Sequence, residues 1–160
     1  MNKVKNVIDT ILRWFLVFII SLMTLNVLWQ VFSRFVLQNP SSFTEELARY
    51  TLVWLGILGA GYVAGQKMHL AIDLLSHKLS GKLKIYLEIF IQISILFFSF
   101  TVMLIGGYRL VSITLSLNQI SAALQIPLGY VYLVVPLSGI LIIFYCVYFI
   151  HDSIKKLKSL

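Results

Sequence analysis

Two carboxylates and an arginine stand close together between the first two apolar segments of the chain. Ser42 and Glu45 have the spacing of a capping box, which predicts that a helix begins at Ser42. On that helix Arg49 follows Glu45 by four residues and Glu46 by three, so it can pair with either. Adjacent helical carboxylates diverge and no sugar cleft is evident, so the spacing favours a local ion pair over catalysis. A contact with another subunit is the alternative, because an unpaired charge near lipid is costly.

A second polar cluster lies in the loop after the second apolar segment. His69, Asp73 and His77 recur every four residues, which places two imidazoles and a carboxylate on one helical face. A metal site would need all three to converge on one ion. An apolar stripe on the same segment favours an interfacial amphipathic helix whose polar face is solvated, so we expect no metal here. The stripe consists of Met68, Ala71, Ile72, Leu75 and Leu79.

The second apolar segment carries small residues at helical spacing. Gly56, Ala60 and Ala64 form one series, and Gly61 and Gly65 form another. Small residues let helix backbones approach closely in lipid. Either series could therefore face another helix of this chain or another protein.

The apolar segments contain no ionisable residue near their middle. An autonomous ion-coupled transporter usually needs one, or a broken helix, at that depth. A haem anchor needs axial ligands inside the bundle, whereas all three histidines lie outside the apolar segments, at one edge of the membrane. No phosphate-binding or nucleophile motif is present either. The sequence therefore predicts a protein that is not an enzyme and has no cofactor.

The composition predicts that membrane helices position these residues. Hydrophobic residues make up 59% of the 160 residues and charged residues 12%, with a mean hydropathy of +0.92. These values exclude a soluble domain and a disordered chain. Cys146 is the single cysteine, so no internal disulfide is possible. The net charge of +7 reflects lysines at membrane edges rather than nucleic-acid binding.

Charge-free runs predict an all-α membrane protein with four transmembrane helices plus short interfacial helices. The predicted spans cover residues 14–36, 45–66, 85–109 and 128–150 of a single domain, 1–160. Residues 110–126 are dotted with polar side chains, so we interpret them as an extension of the third helix followed by an interfacial loop.

The distribution of basic residues predicts the orientation. Arg34, Arg49 and Arg109 fall at one end of the spans, and ten basic residues fall at the other. The positive-inside rule then places both termini and the middle loop in the cytoplasm. The ten are Lys3, Lys5, Arg13, Lys67, Lys78, Lys82, Lys84, Lys155, Lys156 and Lys158.

The order and spacing of these motifs resemble one family across nearly the whole chain: the DctQ-like small membrane subunit of tripartite ATP-independent periplasmic (TRAP) transporters. The family's characteristic residues recur in four groups. They are Arg34-Phe35; residues 44–50 (Thr-Glu-Glu-Leu-Ala-Arg-Tyr) followed by Trp54, Gly56 and Gly59-Ala60; His69 and Asp73; and residues 123–127 (Ala-Leu-Gln-Ile-Pro) followed by Tyr132 and Pro136.

The resemblance implies a subunit of the bacterial inner membrane that braces a large elevator-type membrane subunit. That partner would carry the substrate and sodium sites, and a periplasmic binding protein would deliver an organic acid. Sialic acid is our first expectation for the substrate and a C4-dicarboxylate our second. A small autonomous carrier or channel, and the membrane anchor of a redox complex, stay open as alternatives.

Two roles are expected for particular residues. Arg34 lies just past the charge-free run 14–32, at the external end of the first span, with no acidic neighbour earlier in that segment. It would contact either lipid phosphate or an acidic patch on the binding protein. His69 and Asp73 mark the family's cytoplasmic-loop motif. The residues expected at the subunit interface or in structural support are Glu45, Glu46, Arg49, Trp54, Gly56 and Ala60.

Overall fold

A computed structural model describes residues 2–39, 41–66 and 82–158 of the chain. In these ranges the backbone forms six α-helices and one π-helical segment. The elements are α1 (Asn2–Phe35), α2 (Ser42–Gly65), α3 (Lys82–Phe98), π1 (Ser99–Gly106), α4 (Gly107–Ser116), α5 (Leu128–Tyr132) and α6 (Val134–Lys158).

Within the described residues, four helical stretches are long and apolar enough to cross a membrane, which confirms the predicted all-α architecture. Helices suit lipid because each satisfies its own backbone hydrogen bonds. Elements α3, π1 and α4 follow one another without a break and form the third stretch. The third helix therefore continues to Ser116 before a loop begins, in agreement with the predicted extension. The stretches are Lys3–Phe35, Ser42–Gly65, Leu83–Ser116 and Leu128–Leu157.

The helices pack side by side, with α2 between α1 and α6, and α6 between α2 and the third helix. A core cluster joins α1, α2 and α6. On the far side of α6, Gly139 lies so close to π1 that an added Cβ would be 2.9 Å from the Cβ of Met103. The core cluster consists of Leu12, Leu16, Ile19, Leu58 and Val134.

Polar side chains connect the helices at several depths, because an unsatisfied polar group in lipid is costly. The buried Asn26 amide donates to the Thr44 carbonyl at 2.7 Å and joins α1 to α2. The Ser138 hydroxyl donates to the Ile57 carbonyl at 2.9 Å and joins α6 to α2. Asn26 therefore bridges two helices.

The start of α2 differs in one detail from the prediction. The N-cap residue is Ser41 and its side chain makes no capping hydrogen bond, whereas Ser42 is already helical. The hydroxyl of Thr44 instead donates to the Ser41 carbonyl at 2.9 Å. The capping box between Ser42 and Glu45 is therefore wrong, although the helix begins where the motif predicted. Glu45 is free to pair with Arg49 rather than with the helix start.

Candidate functional site

The outer face of α2 is an exposed stripe that packs against no other described element. Its members recur every three or four residues, which is the period of one helical face. They include four of the six residues expected at the subunit interface. We call this stripe the outer face of α2; it consists of Glu45, Arg49, Leu52, Gly56, Ala60 and Val63.

A loose ion pair marks the external end of the outer face. Arg49 Nη2 lies 3.4 Å from Glu45 Oε1, and the two side chains are 69% and 65% exposed. The predicted local pair is therefore present. Such an exposed pair contributes little to the stability of the chain itself, so both charges remain available to a partner.

Gly56 and Gly59, further along α2 than the ion pair, face open space within the described part of the chain. A Cβ added at Gly56 or Gly59 would meet nothing within 4 Å. At Gly65, by contrast, an added Cβ would lie 2.5 Å from the Tyr145 ring, and at Gly61 it would lie 3.0 Å from the Ser138 hydroxyl. The second small-residue series thus packs against α6, and the first leaves an open shallow surface.

Trp54 points to the other side of α2. Its indole Nε1 donates to the Val131 carbonyl at 3.0 Å, and its ring meets Phe15 edge-on with centroids 6.4 Å apart. Because Trp54 precedes Gly56 by two residues, the two side chains lie about 200° apart around the helix. Within this chain Trp54 braces α2 against α1 and α5.

Glu46 also points away from the outer face and holds a distant loop. Its carboxylate accepts the backbone N–H groups of Ala122 at 3.1 Å, Ala123 at 2.7 Å and Leu124 at 2.8 Å. The hydroxyl of Tyr50 donates to the same carboxylate at 2.7 Å. We call this arrangement the Glu46 clasp. The sequence did not reveal it, because the three loop N–H groups are 76 to 78 residues from Glu46.

The clasped loop connects α4 to α5 and has a defined backbone of its own. The N–H of Ser121 donates to the Ile126 carbonyl at 2.9 Å, and the N–H of Leu128 donates to the Gln119 carbonyl at 2.9 Å. Gln125 adopts a left-handed conformation with φ of 55°. Such a conformation is uncommon for a residue other than glycine and persists only where neighbouring bonds fix it.

Arg34 stands at the end of an overhanging helix. The bond between Asn26 and Thr44 places Asn26 level with the first turn of α2. At 1.5 Å per residue, Arg34 lies about 12 Å further along α1. Its side chain is exposed, and its guanidinium lies 5.9 Å from the ring centroid of Phe35. Arg34 therefore projects beyond the start of α2.

The opposite end of the bundle contains an ionic cluster that the sequence did not indicate. Asp9 lies 2.6 Å from Lys5 Nζ and accepts a hydrogen bond of 2.6 Å from the Tyr145 hydroxyl. The Lys5 ammonium also lies 5.7 Å from the Tyr145 ring centroid. The cluster ties α1 to α6 across the last turn of α2.

The predicted cytoplasmic-loop motif, His69 and Asp73, lies outside the described residues. Among the residues that are described, no group of three or more His, Cys, Asp or Glu side chains could hold a metal ion. The two surfaces that could contact a partner are the outer face of α2 and the clasped loop.

Comparisons with known proteins show which family the chain belongs to. Residues 23–156 match the profile of the DctQ component of tripartite ATP-independent periplasmic transporters. A protein named as a TRAP transporter small permease in Haemophilus influenzae is 27% identical over 147 residues, which are 89% of this chain and 86% of that protein.

Two further relatives carry sialic acid in their names. The sialic acid TRAP transporter small permease SiaQ of Vibrio cholerae is 27% identical over 66% of this chain and 65% of its own length. The sialic acid TRAP transporter permease SiaT of Haemophilus influenzae is 31% identical over 40% of this chain and 10% of its own length. The profile match covers most of the sequence and confirms the resemblance. This chain belongs to the DctQ family, the small permease component of TRAP transporters, which is a family of transporters and not of enzymes.

Proposed function

We propose that this chain braces the large membrane subunit of a sodium-coupled TRAP transporter through the outer face of α2. The complex lies in the bacterial inner membrane, imports an organic acid and receives it from a periplasmic binding protein. The open surface at Gly56 carries the proposal, because it is a close-approach site that none of the described residues occupies.

The outer face suits a transmembrane partner for two reasons. Small residues allow a second helix to approach closely, which is the main source of affinity between helices in lipid. The exposed charges of Glu45 and Arg49 at the external end can pair with charges on the partner and fix its register. Removing one member of a desolvated pair costs several kcal/mol, largely because the other charge is left unpaired.

Added bulk on the outer face tests this interface. Gly56→Leu should abolish copurification with the large subunit and sodium-driven uptake, while the isolated chain keeps its thermal stability. Ser94→Leu is the matched control, because it adds similar bulk at an exposed position on α3. Copurification of Gly56→Leu at the wild-type level would refute the interface. Uptake by the wild-type chain alone in liposomes would instead refute the bracing role.

Arg34 has a separate role in this proposal, which is to attract the binding protein. The overhang of α1 carries its cation beyond α2, where it can steer an acidic surface at long range. Arg34→Glu should slow uptake at limiting binding protein, and excess binding protein should partly restore the rate. An unchanged dependence on binding-protein concentration would assign Arg34 to lipid phosphate instead.

The proposed orientation has both termini in the cytoplasm. Asn39 and Lys156 are exposed at opposite ends of the bundle, and the native thiol of Cys146 is buried. An impermeant thiol reagent added from the periplasm should therefore label Asn39→Cys and spare Lys156→Cys. The reverse pattern would invert the topology.

Sialic acid is the first substrate to test, because two relatives bear that name, and a C4-dicarboxylate is the second. Uptake by the reconstituted complex, with and without sodium and with each labelled acid, identifies the substrate and the coupling ion. Uptake that does not respond to sodium would remove the coupling from the proposal.

A further inference from the structure

We infer that Glu46 is a positioning residue that preorganises the loop 117–127 as a contact surface for the periplasmic binding protein. This inference rests on the proposed function, because it needs a binding protein that docks on this side of the complex. It assigns the loop a role distinct from that of the outer face of α2.

The clasp needs the two oxygens of a carboxylate. Oε1 accepts from Ala122 N–H and the Tyr50 hydroxyl, and Oε2 accepts from Ala123 and Leu124 N–H. All four neighbours are donors. An amide in place of the carboxylate would turn an NH₂ group toward some of these donors, so glutamine cannot reproduce the arrangement. The geometry is that of a backbone nest closed on an anion, here supplied by the protein itself.

The clasp also determines where the loop lies. Leu124 and Ile126 line an apolar groove together with Tyr50 and Trp54, on the side of α2 away from the outer face. The loop is therefore separate from the outer face. The loop is also at the same end of the bundle as Arg34, because it is bonded to the first turns of α2.

The exposed part of the loop is suited to short-range recognition. Leu117 and Ile120 are 63% and 54% exposed, and Gln119 and Gln125 are exposed beside them. The sequence has no charged residue between Leu110 and Ile150, so the loop cannot attract a partner from a distance. An uncharged surface gains affinity from a fixed shape, since a flexible loop must be ordered on binding. Arg34 would then attract the binding protein from a distance, and the loop would give it a surface of fixed shape to bind.

Hydrogen exchange and uptake together test this role. In Glu46→Gln the amides of Ala122, Ala123 and Leu124 should exchange about tenfold faster or more, while the amides of α6 keep their protection. The half-saturating concentration of binding protein should rise several-fold, with the maximal rate and copurification with the large subunit retained. Tyr50→Phe removes one of the four bonds and should give a smaller change in the same direction.

The control is Asp152→Asn, which also removes a carboxylate charge but at the opposite end of the chain. Asp152 forms a partly exposed pair with Lys156 at 2.9 Å, and its loss should change neither loop exchange nor half-saturation.

The outcomes separate this inference from the proposed function. Faster exchange in Glu46→Gln with an unchanged half-saturation would refute the docking role of the loop. Loss of copurification in Tyr50→Phe and Glu46→Gln would also refute it, because the clasp would then support the large subunit. Failure of the wild-type chain to copurify with any large subunit would instead refute the proposed function, whatever the loop does.

Discussion

A single methyl group at Gly65 should destabilise the isolated chain. The Cβ of Gly65→Ala would lie 2.5 to 2.7 Å from three atoms of the Tyr145 ring. Carbon atoms in ordinary contact are about 3.5 to 4.0 Å apart, so the ring or the helix must move by about 1 Å. Tyr145 has little freedom to move, since it is 1% exposed and its hydroxyl donates to Asp9 at 2.6 Å.

The expected change in the free energy of unfolding combines two costs and one gain. Overpacking of this kind costs about 1 to 3 kcal/mol. Weakening the hydrogen bond to the Asp9 carboxylate adds about 1 kcal/mol or more. Alanine is the better helix former by about 1 kcal/mol, which offsets part of the loss. The expected change is a net destabilisation of about 1 to 3 kcal/mol, or several degrees in Tm.

Thermal unfolding of the purified chain in detergent measures this effect. Gly56→Ala is the matched control on the same helix, because it gains the same helical preference and its methyl group meets open space. It should raise Tm slightly or leave it unchanged. A smaller side chain at position 145 should relieve the clash. The double variant Gly65→Ala, Tyr145→Leu should therefore be destabilised by less than the sum of the two single variants. A Gly65→Ala variant as stable as wild type would refute the packing argument.

Two other substitutions test the polar contacts between helices. Tyr145→Phe should lower the unfolding free energy by about 1 to 3 kcal/mol, because Asp9 loses one hydrogen-bond donor and keeps Lys5 and Gln66. Thermal unfolding beside wild type measures this loss, and an unchanged Tm would contradict it. Trp54→Phe should lower the unfolding free energy by about 1 kcal/mol, because the Val131 carbonyl loses the indole donor. Hydrogen exchange in α5 should become faster. Full protection of α5 in this variant would show that the bond is dispensable.

The helices could be predicted from the sequence because lipid imposes a simple rule. A charge-free run near 20 residues must satisfy its own backbone in the membrane, and a helix does so whatever surrounds it. The divergence of Glu45 and Glu46 was also predictable, since adjacent helical side chains are about 100° apart. The same spacing rule located Arg49 beside Glu45.

The remaining features depend on distant parts of the chain. Nothing local to Glu46 indicates that its partners lie at residues 122–124, and the bond between Trp54 and Val131 spans 77 residues. The two small-residue series of α2 look alike as sequence. Only the position of α6 decides that Gly65 packs against Tyr145, whereas Gly56 meets none of the described residues.

Glu45 and Glu46 point about 100° apart around α2, so one helix could contribute to both of the proposed contacts. Glu45 turns outward to Arg49, where a membrane partner can contact it, and Glu46 turns toward the loop that it clasps. Because both belong to one rigid helical turn, the position of the loop is fixed relative to the outer face. A large subunit bound to the outer face would thus hold the loop at a constant place on the external side. A soluble binding protein could then dock without having to order the loop each time.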